Sequence, residues 1–211
     1  MADPAPPRPA QAARGLRGVS TTTRADLPSD LRPYLDRLLD AHARGPRVRL
    51  VADPGSGGLL IARAAAGEIG GATPRARVGR EIGRVLAGLA THGNEAGAPA
   101  PFRAPHHSAS FASIFGGRPL ARVPRAGEVS LAHGGTLFLD EWPEFTRAVR
   151  ENLPAVLNMG HVRFHRVGGY FAYPADPSLV IARVTHAQRD DPRAVFAGSV
   201  DVEIPAQIAL P

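Results

Sequence analysis

The sequence predicts an α/β protein with a mostly parallel sheet flanked by helices, and two stretches carry that prediction. The first is Thr136 to Glu141, Thr-Leu-Phe-Leu-Asp-Glu, led in by Gly134 and Gly135. An apolar run this short, bounded by glycines and ending in two carboxylates, reads as a central strand buried on both faces. The second is Arg47 to Ala52, a strand candidate that runs into the glycine-rich Asp53-Pro54-Gly55-Ser56-Gly57-Gly58 and then into a helical stretch. Strand, glycine loop and helix in that order belong to parallel α/β units.

Bulk composition sets the frame. At 211 residues with 44% hydrophobic content, the chain can bury one good core. It contains no Cys, which excludes disulfides, thiolate nucleophiles and Cys-based zinc sites. Its formal net charge is +6, and all 25 basic residues are Arg. That balance favours anionic partners such as nucleotides or nucleic acid, although dispersed Arg also makes an ordinary solvated surface. No stretch approaches the apolar length of a membrane span, and the start has no apolar signal region. A cytoplasmic protein without membrane contact is therefore expected.

Residues 1–26 are rich in Pro, Ala and Arg with little to bury, which predicts a disordered tail. Their Arg-rich, acid-poor character loosely resembles a transit peptide, but the prolines make a poor amphipathic helix. The expected core is 27–211. Ser29 or Asp30 can cap a helix on which Leu31, Tyr34, Leu35, Leu38 and Leu39 share one face, ended by Gly45-Pro46. After the 47–52 strand and its loop, a helix is predicted from Leu59 to Glu68. Gly70 to Arg80 reads as loop, followed by a short helix with Ile82, Val85, Leu86 and Leu89 on one side. The adjacent His106 and His107 invite a metal reading, but no third ligand stands at a suitable spacing, which favours loop structure. Beyond the central strand, Phe145, Val149, Leu153, Val156 and Leu157 mark a helix that Pro154 interrupts and Gly160 closes. Residues 161–173 alternate as a β-hairpin, and Leu179 to Ala182 and Val200 to Ile204 are further strands.

The chemistry rests on the two opening stretches. Open parallel sheets bind ligands at the carboxyl ends of their strands. Asp140 and Glu141 would sit there, the Asp available to a hydrated Mg²⁺ and the Glu to a water, as in the Walker B arrangement of P-loop NTPases. Solvated acids at a strand end are the plainer reading. The glycine loop has the right context for a phosphate-binding P-loop but fails the motif G-x-x-x-x-G-K-[ST]. Ala52 stands at its first Gly, Gly58 at its Lys and Leu59 at its metal-binding hydroxyl; only Gly57 matches. Backbone N–H groups of Gly55 to Leu59 remain suited to an anion at a helix start, and Pro54, Gly55, Ser56, Gly57, Gly58 and Leu59 are the nucleotide-loop candidates. With no Lys in the chain, Arg63 on the following helix is the nearest stand-in cation.

Three blocks together carry a resemblance: Pro101 to Ser110 (Pro-Phe-Arg-Ala-Pro-His-His-Ser-Ala-Ser), Pro124 to Glu144, and Gly160 to Arg166 with Tyr173-Pro174. They resemble the competence-type magnesium-chelatase-like AAA+ ATPases, relatives of magnesium chelatase subunit I, and in weaker form the likeness runs over about 45–205. The resemblance makes Thr136 to Glu141 a Walker B strand. It implies an AAA+ core with a β-hairpin insertion, ATP with Mg²⁺, a ring of AAA+ protomers, and motor work on DNA or metal insertion. By carry-over, Asp140 matches the Mg²⁺-coordinating Asp and Glu141 the base that orients the attacking water. The 161–173 hairpin matches one that faces the pore in related motors, where Arg163 and Arg166 would meet a phosphate backbone.

The departures fall on the chemistry. Besides the loop, the family's Met-Asn-Pro at sensor 1 corresponds to Val184-Thr185-His186, which lacks the Asn. Its Leu-Leu-Asp-Arg-Ile corresponds to Phe196-Ala197-Gly198-Ser199-Val200, which lacks the Arg. The C-terminal helical lid is also not expected. A module that binds ATP poorly, hydrolyses it inefficiently and acts through protomer or DNA contacts is one expectation. A weakly active Mg²⁺-dependent ATPase is the other.

Overall fold

The computed structural model of the chain describes residues 22–69, 74–86, 100–117, 123–166 and 169–205. Five strands form one parallel sheet: β1 (Arg47–Val51), β2 (Phe102–Arg103), β3 (Thr136–Leu139), β6 (Leu179–Val184) and β7 (Val200–Glu203), in the spatial order β2-β3-β6-β1-β7. The chain thus leaves β1 towards the β2 edge, returns through β6 to pair with β1, and ends on its other side as β7. The switch in winding direction falls at β1, where an open α/β sheet leaves a crevice beyond its carboxyl ends. The hairpin is separate, β4 (His161–Arg166) pairing antiparallel with β5 (Gly169–Pro174). Both the mostly parallel sheet and the hairpin agree with the sequence reading.

All residues of β3 and β6 are buried. Their side chains alternate between two cores, as period two requires. Leu137, Leu139, Val180 and Ala182 face a core shared with Val149, Leu153 and Val156 of α6 (Arg147–Met159). Phe138, Leu179 and Ile181 face the other, with Leu35 and Leu38 of α1 (Arg32–Arg44) and Ile61, Ala62 and Ala65 of α2 (Gly58–Ile69). Thr146 caps α6, with its hydroxyl accepting from the Val149 N–H, and Gly160 ends it at φ 69°.

The remaining helices depart from the sequence reading. Arg24–Asp26, included in the expected tail, form a 3-10 turn in which Arg24 reaches Asp36 of α1 and Glu68 of α2; residues 1–21 lie outside the described residues. Helix α3 spans Pro74–Leu86, so its first half occupies a stretch expected to be loop. Pro74 at its first position presets the helical φ. The described residues of this helix that pack inward are glycines. A Cβ on Gly79 would meet the His133 ring at 2.4 Å and one on Gly83 the Ser130 carbonyl at 3.3 Å, while Ile82 and Val85 are exposed. Leu89 and the side chain of Leu86 lie outside the described residues. Two short helices, α4 (Phe111–Phe115) and α5 (Glu128–Leu131), send Ile114, Phe115 and Val129 into the core that holds Leu137 and Leu139, and Arg103 of β2 holds Glu128 through paired hydrogen bonds of 2.6 and 2.7 Å.

Candidate functional site

The loop after β1 and the acids after β3 meet at the carboxyl edge of the sheet, with β6 between them. The Ala52 N–H donates to the Val184 carbonyl at 2.9 Å, continuing the β1–β6 ladder one residue past the strand. Gly55 and Gly57 both take φ 83°, the left-handed region where a glycine is needed. Ser56 is buried, and its hydroxyl donates to the Asp53 carbonyl at 2.7 Å. Helix α2 then begins at Gly58, and the Leu59 side chain beside it is 41% exposed. The loop is thus a glycine turn leading into a helix start, with neither a Lys at position 58 nor a hydroxyl at position 59.

Asp140 is engaged by a residue that the motif reading passed over. Arg183, near the end of β6, directs its Nε to Asp140 Oδ1 and donates from Nη1 to the Ala52 carbonyl at 2.8 Å. Its side chain is only 8% exposed, against 47% for Asp140. Arg63 does not supply the missing cation. Its guanidinium lies over the Phe102 ring, 5.2 Å from the centroid, turned towards the sheet edge.

Glu141 is the one non-glycine residue with positive φ among the described residues, at φ 53° and ψ 51°. Left-handed backbone at a side chain of this kind is a sparsely populated state that recurs at functional sites. Its Oε2 lies 2.9 Å from His107 Nδ1. The His106 ring lies tilted against His107, with centroids 4.0 Å apart, and bonds the Ser108 hydroxyl at 2.8 Å. The adjacent histidines are thus loop residues, one of which props the candidate base, and among the described residues no three His, Asp or Glu side chains converge as a metal set.

On the other side of the loop, the His186 N–H donates to Asp53 Oδ1 at 3.0 Å, and its ring stands between Asp53 (3.0 Å) and Glu203 of β7 (3.4 Å). The backbone bond from His186 is the main cause that holds the Asp53 carboxyl below its ordinary range, with the His186 ring and Arg183 adding to it. A depressed carboxyl stabilises the fold fully above the ordinary Asp pKa of about 4 and loses that contribution as pH falls through its lower folded value. Asp53→Asn is therefore expected to flatten the acid limb of stability below about pH 4, read by urea unfolding across pH. Equal acid sensitivity in both proteins would count against this anchor.

The hairpin forms its own two-stranded sheet. Arg163 is exposed and turned to the His161 ring, and the side chain of Arg166 lies outside the described residues. Neither is brought to the Asp140–Glu141 site by any described contact.

The residues present do not fit a Mg²⁺ ion in this arrangement, because the Asp140 carboxylate is neutralised by Arg183 and position 59 offers no hydroxyl oxygen. One signal in the sequence pointed to this: an Arg inside the otherwise apolar Leu-Val-Ile-Ala-Arg-Val must find a partner when buried.

Comparison with known proteins gives a family and a fold. The family model for magnesium chelatase, subunit ChlI, matches residues 37–188. Competence protein ComM of Haemophilus influenzae is 40% identical over 108 residues, which is 51% of this chain and 20% of that protein. The uncharacterized protein YifB of Escherichia coli is 45% identical over 82 residues, 39% of this chain and 16% of its own length. The chain thus spans a fifth or less of the curated relatives it matches here. Among solved structures, a complex of subunits BchI and BchD of magnesium chelatase aligns with a TM-score of 0.58 at 19% identity, over 82% of this chain and 59% of that one. NtrX of Brucella abortus in complex with ATP aligns with a TM-score of 0.51 at 21% identity, over 90% of this chain and 39% of that one. At these identities the structures speak for the fold, a mixed α/β core of the P-loop, AAA+-like kind.

Proposed function

The chain belongs to the family of magnesium chelatase subunit ChlI, and on that premise we propose that it is a degenerate AAA+ ATP-binding module that hydrolyses ATP inefficiently and acts through contacts with other AAA+ protomers or with DNA, in the cytoplasm. The observation that carries this reading is the start of α2. Gly58 and Leu59 stand where the motif supplies an ammonium for the phosphates and a hydroxyl for the metal. A charge-assisted hydrogen bond contributes about 1.5–3 kcal/mol, so the missing Lys alone weakens phosphate binding roughly ten- to a hundredfold. Each further transition-state contact worth about 1.4 kcal/mol removes another factor of ten in rate. Without the hydroxyl and the sensor 1 Asn, turnover at least about a thousandfold below that of an intact family member is expected.

The test is steady-state ATP hydrolysis with Mg²⁺, beside binding to an intact family protomer on a sizing column. Turnover within tenfold of the intact protein sinks the reading. Retention of DNA by the wild type, lost as salt rises and weakened by Arg163→Glu, would support the DNA branch of the proposal.

A second reading, a weakly active Mg²⁺-dependent ATPase of a DNA-processing or chelatase-type motor, requires the Arg183–Asp140 pair to open for the metal and draws on Glu141. That carboxylate is intact and propped by His107 at 2.9 Å. Under this reading, whatever slow turnover is measured disappears in Glu141→Gln. Turnover that persists unchanged in that variant rejects it.

A further inference from the structure

Building on the degenerate-site reading, we infer that Gly58 and Arg183 are two halves of one change: a cation rooted on β6 has replaced both the loop cation and the metal. The site binds Mg·ATP weakly because it is filled from within, not only because the loop lacks its Lys. Restoring the loop alone does not restore the site.

Three observations place Arg183 there. Its guanidinium bridges the two halves of the site, with Nε on Asp140 and Nη1 on the Ala52 carbonyl at 2.8 Å. Its stem runs beneath the start of α2, so that a Cβ at position 58 would stand 3.4 Å from Arg183 Cδ, 3.3 Å from Ala52 Cβ and 3.4 Å from Leu50 Cδ2. Any side chain at 58 therefore begins in contact with the Arg183 stem, and Gly58 leaves room for it. The strand around Arg183 is wholly buried, so the charge cannot swing into water without abandoning its packing. A Lys at 58 would bring a second cation into the same low-dielectric space, and a Mg²⁺ at Asp140 would have to displace a guanidinium already held by the carboxylate.

The prediction is strong non-additivity in nucleotide binding. The probe is a fluorescent N-methylanthraniloyl-ATP with Mg²⁺, titrated into wild type, Gly58→Lys/Leu59→Thr, Arg183→Gln, and the three changes combined. Gln keeps an amide donor for the Ala52 carbonyl without the charge. The loop pair alone and Arg183→Gln alone should each change the affinity less than threefold, while the triple variant should gain at least thirtyfold. An equal gain in the loop pair alone overturns the inference, and so does a folded triple variant that gains nothing. If the triple variant does not fold, Arg183→Met in the same loop background makes the same comparison. The wild type supplies an independent reading by thermal unfolding. Mg²⁺ should leave its midpoint unchanged, and a Mg²⁺-induced rise that vanishes in Asp140→Asn overturns the inference. Additive binding without turnover would reject the swap and leave the inefficient-ATPase reading standing, whereas fast wild-type turnover would reject that reading at its root.

Discussion

Asp140→Ala is expected to destabilise the ligand-free protein by about 2–3 kcal/mol, the opposite of what removing a metal-site carboxylate ordinarily does. A carboxylate waiting for Mg²⁺ is an uncompensated negative charge at a strand end, and its loss leaves the apo fold unchanged or firmer. Here Asp140 is the counter-ion of a guanidinium that is 8% exposed. Removing one partner of a fully buried pair costs about 3–5 kcal/mol, because the other charge stays buried and unpaired. Asp140 is itself about half exposed, and water moderates the loss at its end of the pair. Urea unfolding of the single variants and of Asp140→Ala/Arg183→Met reads the effect. The double variant should recover most of the loss, since an apolar stem of similar shape needs no counter-ion. A neutral or stabilising Asp140→Ala would mean that Arg183 does not depend on this carboxylate.

Trp142→Ala carries the largest expected cost, about 3–5 kcal/mol, as for deletion of a large aromatic side chain from a core. Trp142 is 1% exposed, with its ring 5.8 Å from Phe145 and 5.1 Å from Phe196, and its Nε1–H donates to the Val195 carbonyl at 3.2 Å. It follows Glu141 directly and ties the turn after β3 to the segment that leads into β7. For a domain of this size, each kcal/mol shifts the melting midpoint by roughly 2–4 °C, so differential scanning calorimetry resolves the effect. Trp142→Phe should recover much of the loss through the remaining ring contacts. A melting midpoint for Trp142→Ala within about 2 °C of wild type would show that the turn does not depend on this ring.

These expectations arise at places where sequence and structure agree unevenly, and the reasons are physical. The central strand and the hairpin were legible because periodicity and bounding glycines report directly on burial, and Thr136–Leu139 and His161–Arg166 form where their patterns place them. Helix α3 was half missed because its docking face is Gly79 and Gly83, whose contribution is close approach, while the apolar Ile82 and Val85 that drew the reading point outward. Arg63 is the cation nearest the loop on the following helix in sequence, but its place on the turn of α2 aims it at Phe102. Arg183 lies 125 residues beyond Gly58 in the chain, and only the β1–β6 pairing brings them together. His107 reaches Glu141 in the same way, through the packing of two loops that carry no shared motif.

The tethering of the loop after β1 has a consequence for signalling. Ala52 is bonded through both its N–H and its carbonyl to β6, Asp53 is held by the His186 N–H, and the Val51 carbonyl accepts from the Ile204 N–H just past β7. A loop that orders only when a ligand arrives can convert occupancy into a shape change felt by its neighbours, because the free energy of ordering is spent at that moment. The root of this loop is already tied down by its own chain, so occupancy has less left to change there. If the proposed assembly with other AAA+ protomers forms, this subunit would offer them a steadier face at the root of the loop, a reference surface rather than a moving part.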